Sequence, residues 1–282
     1  MNPRMGAAAA LLSVSALAAP LDLPPEAELR VRLPEQETVP FRGMANFDGA
    51  GGNQTQILYP APSLAAGLAA VLTHAGIESS RRSAEKERLQ AEADKVLEPY
   101  VAVLRGFKHA ELFQQALIKA TPARRTSLVD AAAKPGGAAL VVLAPVFFMP
   151  QDQSALVLET EVAIHAHGPA TEQPAYRNVV RVVSTPRDED KPDAFWLANH
   201  GSNLKQAAAA LMAESLSIAL QEAAGAFAGI QAPQRTVRYV EGKSEKMERA
   251  HIIRSGCDRL VVKTLRDTLL SVPLKAAGPC AN

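Results

Sequence analysis

Apolar and polar positions change period several times along this chain, and those changes divide it into elements. Ala138 to Ser184 is the clearest stretch. Ala138–Phe148 is a continuous apolar run, as expected of a strand buried on both faces. Pro150-Gln151-Asp152-Gln153 supplies a turn. From Ser154 to His167 the pattern alternates, with Leu156, Leu158, Val162 and Ile164 on one side and Glu159, Glu161, His165 and His167 on the other. Gly168–Pro174 turns the chain again, and Tyr176–Ser184 reads as a third strand pairing back. Helices on one face and solvent on the other account for this alternation.

Upstream, Leu29, Val31 and Leu33 alternate with charged residues, which predicts a short edge strand. Phe41 to Asn53 is a glycine-rich loop followed by an apparent strand at Gln54–Tyr59. Without a Gly-Lys-Ser/Thr and a helix directly after it, the loop lacks the parts of a phosphate cradle. From Pro62, Leu64, Leu68, Val71 and Leu72 recur at helical spacing among alanines, so a buried helix is expected to about Ile77. Glu78–Glu98 carries interleaved charges, with Arg81 and Glu85, and Arg88 and Glu92, four apart. Pro99 ends it. Val101–Ala120, with Leu104, Leu112, Phe113 and Leu117 as its stripe, then folds back to complete a long N-terminal helical hairpin. A further short helix is expected between Pro122 and Pro135-Gly136-Gly137.

Downstream, Thr185–Asn199 is polar and reads as a surface loop anchored by Phe195 and Trp196. Ser202 or Asn203 caps a helix Leu204–Ala223. Short strands follow at Arg235–Glu241, Ala250–Arg254, Arg259–Leu265 and Leu269–Pro273. The whole is an α/β (α+β) fold, a two- or three-layer sandwich whose mixed or antiparallel sheet carries helices mainly on one face.

The first residues change the picture from fold to address. Arg4 precedes the apolar run Gly6–Ser15, and Ala16-Leu17-Ala18 is the small-x-small pattern that a signal peptidase recognises. The run is shorter than the ~20 residues a membrane helix needs. Cleavage after Ala18 leaves Ala19 at the mature N-terminus. The expected divisions are 1–18 signal peptide, 19–53 extended arm and glycine-rich loop, 54–274 one α/β domain, and 275–282 tail. A periplasmic or secreted location agrees with the cysteines. The only two, Cys257 and Cys280, read as one disulfide formed in an oxidising compartment. A loop of that length is worth about 3 kcal/mol in the chain-entropy account.

Charge excludes more than it selects. Net charge is +1 and aromatic residues are 5% of the chain, so neither a nucleic-acid groove nor a stacking platform is indicated. Arg235–Lys275 departs from this balance with ten basic residues against five acidic, suiting an anionic envelope surface or an edge protected from pairing. Gly-x-Ser-x-Gly nucleophile elbows and His-Glu-x-x-His motifs do not occur, and no catalytic residue is nominated. The sharpest chemical pattern is His165-x-His167, two imidazoles on one strand face that suit zinc, with His200 or His251 as a third ligand. That pattern supports a metal-dependent hydrolase as an alternative; otherwise no cofactor is expected.

The order of elements from Gln54 to Pro273 resembles small exported modules of bacterial envelopes, similar to the TolB N-terminal and CsgG-like folds. It is a resemblance of outline that assigns no residue a role. The expectation is an exported, non-enzymatic binding or assembly-accessory protein. Its partner is another envelope protein or an envelope surface, engaged through the charged helix Glu78–Glu98 or the basic C-terminal strands, and no membrane span remains after signal cleavage. A membrane-associated assembly component built on Ala61–Ile77 is a further alternative.

Overall fold

The apolar run at Ala138 becomes the long central strand on which the sheet is assembled. The computed structural model describes residues 20–24, 27–46, 77–121, 124–169, 171–230 and 232–274. In chain order the strands are β1 (Leu29–Arg32), β2 (Phe41–Gly43), β3 (Thr126–Val129), β4 (Ala139–Met149), β5 (Val157–His165) and β6 (Tyr176–Val183). They continue with β7 (Gln234–Glu241), β8 (Ser244–Ser255), β9 (Arg259–Thr264) and β10 (Leu269–Pro273). The helices are α1 (Ile77–Asp94), α2 (Val101–Gly106), α3 (His109–Ala120) and α4 (Pro192–Ala223). All the described strands join one mixed sheet, ordered β3-β1-β4-β5-β6-β10-β9-β8-β7, with β2 also on β4. The fold is therefore mixed α/β.

β1 and β2 lie one after the other along the same edge of β4, pairing with Ala139–Val142 and Phe147–Met149 respectively, both in parallel. β4, β5 and β6 form an antiparallel meander at the expected places. Its first turn is made by Asp152, whose carboxylate accepts from the backbone N–H and hydroxyl of Ser154 at 2.9 and 2.6 Å, the local bonding that makes aspartate a turn former.

Leu158, Val162 and Ile164 of β5 and Val180 and Val182 of β6 face the helices and share a core with Phe113 and Leu117 of α3 and Leu204, Met212 and Leu216 of α4. Ala208, Ala209 and Ala219 of α4 are wholly buried in the same core. Trp196 fixes the start of α4: it is 2% exposed and its Nε1–H donates to the Gln153 carbonyl at 2.6 Å. Removing a side chain packed like this costs about 3–5 kcal/mol.

The structure corrects several expectations. The long N-terminal hairpin is not formed among the described residues. After α1 the chain passes through a 3₁₀ turn, Lys95–Tyr100, that contains Pro99, then α2. It breaks at Phe107, whose φ of −88° and ψ of 111° are extended. The break is held from outside: Val39 N–H donates to the Phe107 carbonyl at 3.0 Å, and the ring is fully buried. α1 instead docks by its last turn on β2, where the Asp94 carboxylate accepts from Gly43 N–H at 2.7 Å and from Arg42 at 2.8 Å. Gly43 is required there, because a Cβ would lie 1.8 Å from the Ala93 carbonyl oxygen. The glycine-rich loop expected from Phe41 begins instead as β2, because Phe41–Gly43 pairs with Phe147–Met149; the rest of it from residue 47, the strand Gln54–Tyr59 and the helix expected from Pro62 lie outside the described residues.

The helix expected after Pro122 is strand β3, whose parallel pairing with β1 makes β1 an internal strand rather than an edge. Of the loop expected over Thr185–Asn199, the part to Lys191 is a loop and the part from Pro192 forms the first turns of α4.

The second face of the sheet also differs from expectation, since it is partly roofed by strands. Strands β7 to β10 roll so that Val237, Tyr239, Ala250, Leu260, Val262, Leu270 and Val272 pack on Val157 and Val183 from the side opposite the helices. The roll is pinned where Lys243 N–H, at the β7–β8 turn, donates to Asp152 at 2.7 Å. It brings β7 over β6, although the two are not paired.

Candidate functional site

The Arg235–Lys275 excess of positive charge is resolved by the fold into two groups. One group ties the rolled strands to α4. Arg254 bonds Glu214 and Gln221 at 2.9 and 3.0 Å. Arg259 donates to Ser271 and to the Val183 carbonyl. Lys263 meets Glu222, whose carboxylate also accepts from Tyr176 and Asn178 at 2.7 Å. These cations are consumed by structure.

The other group stays free. Among the described residues, the side chains of Arg235, Arg238, Lys243, Lys246 and Arg249 have no ion pair, and all but Lys246 are exposed. They sit on the β7–β8 hairpin, and among the described residues β7 bonds to a neighbour along one edge only. Register places Arg238 opposite Met247 and Thr236 opposite Arg249. Directly opposite residues share a face, so these four stand together on the outward side. Val237 and Tyr239 point the other way into the roll.

Beneath this hairpin lies a buried ion cluster. Arg181 of β6 pairs with Glu159 of β5 and with Glu241 of β7, the latter at 2.8 Å. The side chains are 18%, 11% and 3% exposed, so two carboxylates share one guanidinium with little solvent. Burial holds Glu159 above the usual carboxylate range against the pull of Arg181, and the charge of Glu241 adds to the rise. Burial and Glu241 likewise push the Tyr239 hydroxyl above its ordinary value. The cluster is a tie between the flat and rolled parts of the sheet, with every member engaged.

A shallow polar depression of about 470 Å³ opens where α4 breaks, lined by Glu111, Gln115, Asn199, His200, Ser202 and Lys205, among others. Asn199, His200 and Gly201 are all left-handed, with φ of 52°, 57° and 78°. Gly201 meets Val103 so closely that a Cβ would lie 2.4 Å from its Cγ1. Lys205 spans the depression to Glu111 at 3.0 Å. Asn199-His200-Gly201 ahead of Ser202-Asn203 is the sequence signal for this break, since asparagine and glycine tolerate left-handed backbone.

His165 and His167 are placed differently from each other. His165 is 7% exposed, and its Nδ1 lies 3.2 Å from the Thr171 carbonyl, which can only accept, so Nδ1 carries the proton. Burial, with Arg32 and Arg177 nearby, lowers its pKa, and the Thr171 carbonyl acts in the opposite direction. His167 lies past the end of β5 in an exposed bend, where strand alternation no longer applies. His200 lies on the helix side of the sheet, opposite His165, and His251 is on β8 with its Nδ1 2.6 Å from the Ala232 carbonyl. Among the described residues no three His, Cys, Asp or Glu side chains are grouped to hold a metal ion.

Cys257 lies in the short connection between β8 and β9, and no described cysteine is free. Cys280 and the cleavage residues Ala18 and Ala19 lie outside the described residues. In α1, Arg88 pairs with Glu85 at 2.7 Å, and Glu92 pairs at 2.6 Å with Lys95 at the start of the 3₁₀ turn. No helix among the described residues is long and apolar enough to cross a membrane. No family model matches the chain, and no curated protein or solved structure is significantly similar to it.

Proposed function

We propose that this chain is an exported, periplasmic or secreted protein of the bacterial cell envelope that works by binding, as an accessory to another envelope component, rather than by catalysis. One observation carries the choice of surface: among the described residues, five cations without an ion pair gather on the β7–β8 hairpin, while on α1 Arg88 pairs with Glu85 and Glu92 with Lys95 just beyond the helix. Fixed positive charge on a rigid hairpin raises the local concentration of an anionic partner and speeds encounter. The leader-like N-terminus and the cysteine pair support the location, and a Cys257–Cys280 bridge would tie the tail to the β8–β9 connection.

Two measurements on protein from the native envelope test this. Intact mass is expected to give a chain starting at Ala19 that lacks two hydrogens for the bridge. A photo-crosslinker at Arg238 is expected to capture an envelope component, and one at Lys86 in α1 to capture none. A chain starting at Met1 with both thiols open to alkylation refutes the export reading. Equal capture from both positions refutes the choice of surface.

A further inference from the structure

Binding on the hairpin, as read above, leaves open what chemistry it meets, and the side chains between the cations narrow it. Met247 is 63% exposed and Leu265 is 52% exposed, two of the five large apolar side chains that stand out from the surface among the described residues. Single exposed apolar residues are ordinary. These two are placed within a cationic patch. Met247 faces Arg238 across the hairpin and alternates with Arg249 along β8. Leu265 follows directly on Thr264, the residue paired with Ala250, and so comes level with Arg249 at the start of the β9–β10 turn. Along this outward face Arg238 and Arg249 alternate with Met247 and Leu265, and Glu245, exposed two residues before Met247, adds one carboxylate at the turn end of the hairpin.

We infer that this face docks on a bilayer containing anionic phospholipid. Arg238 and Arg249 meet lipid phosphates, while Met247 and Leu265 enter the boundary between headgroup and acyl chain. A soluble polyanion would use the guanidinium groups and leave the two apolar side chains in water. A bilayer uses both, because its surface offers negative charge directly above an apolar layer. The geometry suits peripheral attachment: α4 covers Ile253 and Val261 in the helix-side core, whereas Arg249, Met247 and Arg238 lie farther along the hairpin and are exposed.

Flotation of the mature, oxidised full chain with vesicles tests the inference, comparing mixed phosphatidylcholine–phosphatidylglycerol vesicles with pure phosphatidylcholine. The chain is expected to float with the anionic vesicles, less so at high salt, and to stay behind with the neutral ones. Arg238→Gln with Arg249→Gln is expected to lower the partition coefficient about 30-fold. Met247→Ser is expected to lower it about fivefold at constant charge. Lys86→Gln with Arg88→Gln on α1 removes as much charge and is expected to change nothing. Because Arg238, Arg249, Met247 and Arg88 are exposed and Lys86 is half-buried, matching melting curves confirm that each variant is folded.

The inference is overturned by failure to float with either vesicle, by equal flotation with both, or by flotation that survives loss of Arg238 and Arg249. It is also overturned if Met247→Ser binds anionic vesicles as the parent does, which marks the site as one for soluble polyanions. Crosslinking of Arg238 to an envelope protein without flotation overturns the lipid assignment and leaves the binding reading standing.

Discussion

Replacing Arg181 by methionine tests how the rolled strands are held to the rest of the sheet. The side chain is central to a buried triad in which Glu159 and Glu241, 11% and 3% exposed, both depend on it. Removing one partner of a buried ion pair leaves charge with neither water nor a counter-ion, at a cost of about 3–5 kcal/mol. With a denaturant slope of about 3 kcal/mol per molar urea, the unfolding midpoint is expected to fall by about 1–1.7 M, at unchanged slope. The cost is pH-dependent with a definite sign. Without Arg181, burial still holds the Glu159 carboxyl above its unfolded value, so the native state binds more protons and the stability it retains is lost as pH rises. The deficit is therefore expected to be largest near neutrality and to shrink toward pH ~4. Adding Glu159→Gln and Glu241→Gln to Arg181→Met removes the orphaned charge and is expected to recover most of the loss. Urea titrations at acid and neutral pH measure all of this. A deficit under about 1 kcal/mol, or one indifferent to pH, refutes the view that the triad ties the two parts together.

Glu159→Gln alone probes the same site by linkage: burial raises the Glu159 pKa, so its contribution is complete below the unfolded value and lost as pH rises through the folded one. The variant's melting temperature is expected to gain on the parent from acid to neutral pH; a constant difference contradicts the assignment. Gly43→Ala forces a methyl against the Ala93 carbonyl and should cost about 2–3 kcal/mol. Hydrogen exchange should show protection lost in the last turn of α1 and kept in β4–β6. Gly201→Ala combines left-handed backbone with a clash on Val103, for about 2–4 kcal/mol by thermal melting. Adding Val103→Ala should relieve only the steric part, and full recovery would show that backbone strain contributes nothing.

How far the sequence could be read depended on whether a residue's partners were nearby in the chain. β4, β5 and β6 were legible because a two-residue period and a turn aspartate act within a few positions. The strands after Gln234 were legible for the same reason, although Ser244–Ser255 is one longer strand than its polar first half suggested. Trp196 was rightly marked as an anchor, while the helix it begins was hidden by a left-handed interruption at Asn199–Gly201. β3 was misread as helix because Thr126–Val129 is too short to show a period, and its conformation comes from pairing with β1, nearly a hundred residues earlier.

Local pattern thus sufficed for the class of fold and for the two-sidedness of its strands, because periodicity and turn chemistry are carried by neighbouring residues. It could not say which charges would cancel. Glu159 and Arg181 look like wet-face residues until the sheet rolls and brings Glu241, 60 residues beyond Arg181, down upon them. The same roll turns Val237 and Tyr239 inward and leaves Arg238, Met247 and Arg249 outward. The candidate surface is therefore a product of long-range closure: Glu214, Glu222 and Glu241 are engaged by Arg254, Lys263 and Arg181, and among the described residues Arg238 and Arg249 are left outward without an ion pair.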